Sequence, residues 1–138
     1  MTLLVSTKGG APTLVFWDTG SQVTLITQKM AQALGLVAIP SSPLRLEGIG
    51  EGHRPRAATR FKVPLVDTGG RAIAVTAYGV DVIMSPLVGG DITLMREMFP
   101  EGPAGGLVSA SGEVSLLMGQ DNLSLFPAER RRVGNAAL

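Results

Sequence analysis

Short apolar runs, cut by glycine, proline and small polar residues, make up most of this chain. Leu3-Leu4-Val5 predicts a short strand, with a turn over residues 7–12. Thr13-Leu14-Val15-Phe16-Trp17 is apolar at successive positions, the pattern of a strand covered on both faces. It ends at Asp18-Thr19-Gly20-Ser21, and Val23-Thr24-Leu25-Ile26 resumes extended structure.

The period then changes. Met30, Ala31 and Leu34 recur at helical spacing, Thr27 is a good N-cap and Gly35 a good stop, so residues 28–34 predict a helix. Leu44-Arg45-Leu46-Glu47 starts a strand that runs into a glycine-rich tip at residues 48–52. Residues 60–66 and 72–78 predict a hairpin turning at Asp67-Thr68-Gly69-Gly70-Arg71, with Val80-Asp81-Val82-Ile83 continuing its second strand. Asp91 is placed to cap a short helix reaching Met98, and residues 100–106 read as a loop. Residues 113–118 predict a buried strand stopped by Gly119, and residues 120–125 a short helix or turn. Neither repeat nor linker divides residues 1–138, which read as one domain with a tail at 127–138.

Composition sharpens the fold class. Of 138 residues 45% are hydrophobic but only 4% aromatic, so the core must be built from Leu, Val, Ile, Ala and Met. Eighteen Gly and nine Pro favour turns over long helices, which points to a mostly β domain.

Charge and residue types then exclude chemistry. A net charge of +1 is no footprint for nucleic acid, and Arg130-Arg131-Arg132 reads as a solvated tail. No apolar run approaches the roughly 20 residues of a membrane span. Met1-Thr2-Leu3-Leu4-Val5 lacks the basic segment and long apolar stretch of a secretory leader, so a cytoplasmic location is expected. There is no cysteine and only one histidine, His53, which reads as an exposed loop residue; no thiol chemistry, metal site or cofactor is expected. A nucleophile elbow and a phosphate loop are both missing. Carboxylates, hydroxyls and backbone remain.

Asp18 is the candidate. It follows a wholly apolar strand, where a carboxylate must find partners or take up a proton. Alternation puts Phe16 on its side of the strand and Trp17 on the other. Gly20 allows a sharp turn and leaves its N–H free to approach the carboxylate, while Thr19 and Ser21 bring hydroxyls within local reach. One carboxylate cannot be acid and base in the same step, but two facing ones can share a proton, as aspartic proteases illustrate. Asp67-Thr68-Gly69 repeats the tripeptide but reads as a hairpin tip, so a symmetric pair of Asp18 side chains is the simpler source of a second carboxylate.

Phe16-Trp17-Asp18-Thr19-Gly20-Ser21-Gln22-Val23-Thr24-Leu25-Ile26-Thr27, followed by Met30-Ala31-Gln32-Ala33-Leu34-Gly35-Leu36, resembles the first half of retropepsin-like proteases, most closely those of Pao/BEL-type retrotransposons. Leu116-Leu117-Met118-Gly119-Gln120-Asp121-Asn122-Leu123 resembles their later apolar-apolar-Gly-x-(Asp/Asn) segment. The resemblance implies a closed retropepsin-like β-barrel with one or two short helices. It implies a homodimer that hydrolyses peptide bonds in a polyprotein substrate, in the cytoplasm or within virus-like particles. Asp18 would be the catalytic acid and base, Thr19 would bond across the dyad to its symmetry mate, and Gly20 would contact the substrate backbone. Residues 44–60 would form the flap, with Gly48, Ile49 and Gly50 at its tip. Phe16, Ile49 and Leu117 would line apolar substrate pockets, with Ser21 and Gln22 beside the substrate backbone.

The chain also departs from that pattern. Many retropepsins pair an acidic residue with an arginine where this chain has Gln22 and Gln120, so an amide–amide hydrogen bond is expected there. Asp121 then reads as a local helix cap. Residues 85–112 exceed what a minimal retropepsin needs and would cover a pocket edge or join the dimer contact. Residues 129–135 make a poor strand, which leaves Leu3-Leu4-Val5 as the better strand for a dimer sheet. Two other readings stand beside the peptidase. One is a catalytically silent binding or assembly module with this fold, a host-adopted remnant; the other is an unrelated small β-barrel with Asp18 as a turn cap.

Overall fold

The structure, a computed structural model, describes residues 2–7, 12–40, 58–66, 70–100, 109–127, 132–133 and 136–137, with side chains from Thr13 to Pro127 within those ranges. Strands β1 (Thr2–Thr7), β2 (Pro12–Trp17), β3 (Leu25–Thr27), β4 (Ala38–Ile39), β5 (Arg60–Val66), β6 (Ala72–Val80) and β7 (Leu116–Met118) join one curled sheet in the order β1-β2-β7-β3-β6-β5-β4. The curl also brings the end of β1 onto β5, with Ser6 opposite Val66 and Thr7 opposite Leu65. Two two-residue strands, β8 (Arg132–Val133) and β9 (Ala136–Ala137), pair only with each other. The charged tail therefore does contain extended structure, but as a separate small hairpin.

Most elements follow local sequence. Helix α1 spans Gln28–Ala33, and its N-cap Thr27 accepts a hydrogen bond from the Met30 N–H at 3.2 Å. Gly35 adopts φ +61°, and the N–H groups of Gly35 and Leu36 close back onto the carbonyls of Gln32 and Ala31. Helix α2 spans Thr93–Met98, and Asp91 accepts from the Thr93 N–H at 2.9 Å and its hydroxyl at 2.6 Å. The β5–β6 hairpin pairs from Arg60↔Tyr78 to Val66↔Ala72. Phe61, Val63 and Leu65 of β5 and Val75 and Ala77 of β6 alternate inward, as a half-buried antiparallel pair requires. Among the described residues no helix is long and apolar enough to cross a membrane.

The core joins Val15, Ile26, Ala31, Phe61, Val63, Leu65, Val75, Ala77, Leu116 and Met118. Phe61 is its lone aromatic, so aliphatic packing carries the interior, as composition required. Trp17 and Phe126 pack against the edge of this cluster in a T-shaped pair with ring centroids 5.2 Å apart.

Three boundaries differ from the sequence reading. β6 runs on from Tyr78 to Val80 as expected, but residues 81–83 do not prolong it. The extended segment at 23–26 becomes strand only at Leu25, because the Thr24 N–H turns to the Asp121 carboxylate. The strand expected over residues 113–118 is confined to Leu116–Met118; Ser115 instead bridges, accepting from the Thr27 N–H while its own N–H meets the Leu14 carbonyl. Of the expected flap, residues 44–60, only 58–60 are described; Gly48, Ile49, Gly50 and His53 lie outside the described residues. Asp67, Thr68 and Gly69 also lie outside them, between strands that pair as a hairpin.

Candidate active site

Strand β2 lies between β1 and β7. It runs parallel to β7 with Val15 opposite Leu116, Phe16 opposite Leu117 and Trp17 opposite Met118. Val15, Leu116 and Met118 point into the core, and Trp17 packs against it. Phe16 and Leu117 therefore share the other face, the one that carries Asp18 one step beyond the strand. Phe16 is half-buried and Leu117 buried, and neither joins the core cluster.

The Asp18 N–H continues the ladder by donating to the Met118 carbonyl at 3.0 Å, and the chain then turns so that the Ser21 N–H meets the Asp18 carbonyl at 3.3 Å. Within this turn the Gly20 N–H donates to Asp18 Oδ1 at 2.8 Å. Among the described residues Asp18 Oδ2 carries no hydrogen bond. Asp18 is half-buried, and among the described residues its carboxylate is held through one oxygen alone. Glycine at position 20 keeps this approach uncrowded: a Cβ there would stand 3.1 Å from Oδ1, while φ is not positive.

Neither nearby hydroxyl bonds to Asp18. Ser21 Oγ donates to the Val23 carbonyl at 2.7 Å, and Thr19 is exposed. Gln22 is exposed as well. Thus Phe16, Asp18, Thr19, Gly20, Ser21, Gln22 and Leu117 are gathered around one end of the β2–β7 pair.

A second layer fixes this turn from β7. A Cβ on Gly119 would lie 2.4 Å from the Val23 carbonyl oxygen, so the two backbones can cross there only because residue 119 is glycine. Thr24, fully buried, places its hydroxyl at the centre of the crossing. It donates to Asp121 Oδ1 at 2.7 Å and accepts from the Gly119 N–H at 3.1 Å and the Asn122 amide at 2.9 Å. Asp121 Oδ2 accepts from the Thr24 N–H at 3.1 Å.

Two sequence expectations are corrected here. Asp121 does not cap the short 3-10 helix Gln120–Leu125 in which it lies; its carboxylate reaches across to Thr24, because that buried N–H and hydroxyl need an acceptor. Gln120 does not pair with Gln22. Its side-chain amide donates to the Thr19 carbonyl, and its backbone N–H donates to the Ser21 carbonyl at 2.9 Å. Sequence reasoning passed over Thr24 altogether, though a lone hydroxyl between Val23 and Leu25-Ile26 was the available sign of a buried polar anchor.

The arrangement presents a carboxylate held at Oδ1, with Oδ2 unbonded among the described residues, on the face that Phe16 and Leu117 share. Among the described residues no three acidic or histidine side chains gather as a metal cluster. No curated protein and no solved structure matches the chain. A family model described as aspartyl protease matches residues 5–95, from β1 through the Asp18 turn, α1 and the β5–β6 hairpin into α2. That match stops short of β7, whose place beside Asp18 is a feature of the fold itself. With more than half of its length covered, and with the Asp18-Thr19-Gly20 turn inside the match, the chain belongs to the aspartyl protease family.

Proposed function

We propose that the chain is one subunit of a homodimeric, retropepsin-like aspartic endopeptidase in which two Asp18 carboxylates meet at the two-fold axis. The carrying observation is the Asp18 carboxylate itself, tied at Oδ1 by the Gly20 N–H and, among the described residues, without a hydrogen bond at Oδ2. One such group cannot supply both acid and base, and a second copy placed face to face would. The pair shares one proton. The ionised member takes a proton from water as its oxygen attacks the scissile carbonyl carbon, and the other gives its proton to the carbonyl oxygen. The tetrahedral adduct then collapses, the C–N bond breaks and the leaving amine is protonated from the same pair. Exposed Thr19 is available to bond to its symmetry mate. Gly20 is positioned beside substrate backbone, Phe16 and Leu117 beside apolar substrate side chains, and Ser21 and Gln22 on the rim. A closed retropepsin-like β-barrel in each subunit, and a flap over residues 44–60, belong to this same reading.

The sequence resemblance extends the proposal to the substrate. The chain would process a retroelement polyprotein in the cytoplasm or in virus-like particles. The test is a peptide-library cleavage assay with a pepstatin-type inhibitor as control, run beside a measurement of particle mass. Cleavage blocked by the inhibitor, from a species of twice the subunit mass, is the expected result. A folded protein that cleaves nothing at either acidic or neutral pH, or that cleaves as a monomer, would overturn it.

A further inference from the structure

Gln120 stands at the position where the resemblance leads one to expect an arginine, yet its amide is not idle. The Thr19–Gly20 peptide group is held at both of its ends. Its N–H donates to Asp18 Oδ1 at 2.8 Å, and its carbonyl accepts from the Gln120 side-chain amide. The anchor for that amide is firm, since the Gln120 N–H is bonded to the Ser21 carbonyl at 2.9 Å and Gly119 is locked beneath Val23.

We infer that Gln120 is a positioning residue that acts on the Asp18 carboxylate through the Thr19–Gly20 peptide. The inference rests on the peptidase reading for its catalytic meaning. Two physical effects run the same way. A peptide plane pinned at its carbonyl cannot rotate its N–H away from Oδ1, so the carboxylate keeps the orientation that directs Oδ2 outward. A carbonyl that accepts a hydrogen bond also polarises its own amide, which makes the N–H on the other side a stronger donor. Gln120 touches neither substrate nor reacting atoms. It holds the group that holds Asp18.

This separates the amide from the role of an ion pair at the same position. A paired arginine would be neutralised by a carboxylate, whereas a glutamine has a neutral donor to give to a backbone carbonyl. Donation is therefore the property to remove. Gln120→Met keeps length and shape without a donor, Gln120→Glu places an acceptor against the carbonyl, and Gln120→Lys restores a donor. Gln120 and Thr19 are exposed, so these changes leave the core untouched.

The experiment has two arms on the full chain. In the first, the Gly20 amide proton is followed by NMR. It should move upfield and exchange faster in Gln120→Met and further in Gln120→Glu, and return towards its original position in Gln120→Lys. In the second, kcat should fall roughly three- to tenfold in Gln120→Met, the size of one modest hydrogen bond, with KM within about twofold and recovery in Gln120→Lys. A Gly20 resonance that stays in place in folded Gln120→Met overturns the inference, as does a kcat loss that the lysine fails to rescue. If no form of the chain cleaves peptide, the peptidase reading fails, and the Gly20 resonance still decides whether Gln120 positions Asp18.

Discussion

The hydroxyl of Thr24 donates to the carboxylate of Asp121 at 2.7 Å across 97 positions of sequence, and the Thr24 N–H donates to the other carboxylate oxygen at 3.1 Å. This double contact, with the Gly119 N–H and the Asn122 amide converging on the same hydroxyl, ties the turn after β2 to the end of β7. It lies behind Asp18 and sets where the turn can sit.

Thr24→Val keeps the shape of the side chain and removes the hydroxyl. It leaves the Gly119 N–H buried without its acceptor and deprives Asp121 and Asn122 of a partner. Stability should fall by about 1–3 kcal/mol, as for other buried groups left unsatisfied. Denaturant unfolding measures it. A double-mutant cycle with Asp121→Ala should show a coupling of about 1 kcal/mol or more, since the two residues share one network. Additive effects would place the contact outside the energetics of the fold.

Two glycines should respond differently to alanine. At position 119 the added carbon meets the Val23 carbonyl at 2.4 Å, so backbone must shift. Gly119→Ala should cost about 1–3 kcal/mol or more, and it should reduce cleavage further than stability alone accounts for, because Val23 belongs to the Asp18 turn. At position 35 nothing lies within 4 Å of the added carbon, and only the φ of +61° is unfavourable. Gly35→Ala should cost about 1–2 kcal/mol and leave the kinetic constants of the remaining folded enzyme unchanged. Thermal unfolding beside kcat and KM separates the two.

Asp18→Asn should keep the fold. An amide oxygen can accept from the Gly20 N–H as the carboxylate oxygen does, so circular dichroism and the unfolding midpoint should stay close to those of the parent chain. On the proposed mechanism cleavage should fall by about 10⁴-fold, since the group that would exchange protons with water is gone.

Phe16→Ala should alter preference. Phe16 and Leu117 are register neighbours on the face of Asp18, so on the proposed reading truncating Phe16 would enlarge the space open to a substrate side chain. The ratio of kcat/KM between peptides with large and small apolar residues at the cleaved bond should rise by about tenfold or more. A change in stability with no change in that ratio would make Phe16 a packing residue.

The start of α2 should respond to acid. The Thr93 hydroxyl and then the Thr93 N–H, both bonded to Asp91, hold its carboxyl below the usual aspartate value of 3.8. A depressed folded value means that the contribution of Asp91 is complete above the unfolded value and is lost as pH falls through the folded one. An NMR titration of the Asp91 carboxyl should show a midpoint below 3.8, and Asp91→Ala should remove the acid-linked change at Thr93.

The sequence alone determined what depends on near neighbours. The apolar run of β2, its end at Asp18-Thr19-Gly20, the cap at Thr27, the stop at Gly35 and the β5–β6 hairpin are all written in short-range sterics and hydrogen bonds, so they could be read before any fold was known. Tertiary structure alone decided the partners. Nothing in local pattern says that β7 lies parallel to β2, that Asp121 turns to Thr24 instead of its own helix, or that Gln120 chooses the Thr19 carbonyl over Gln22. These contacts span about a hundred residues, and short polar side chains have no periodicity to announce them. A buried N–H or carbonyl takes the partner that folding brings within 3 Å, and that proximity exists only once the sheet has curled.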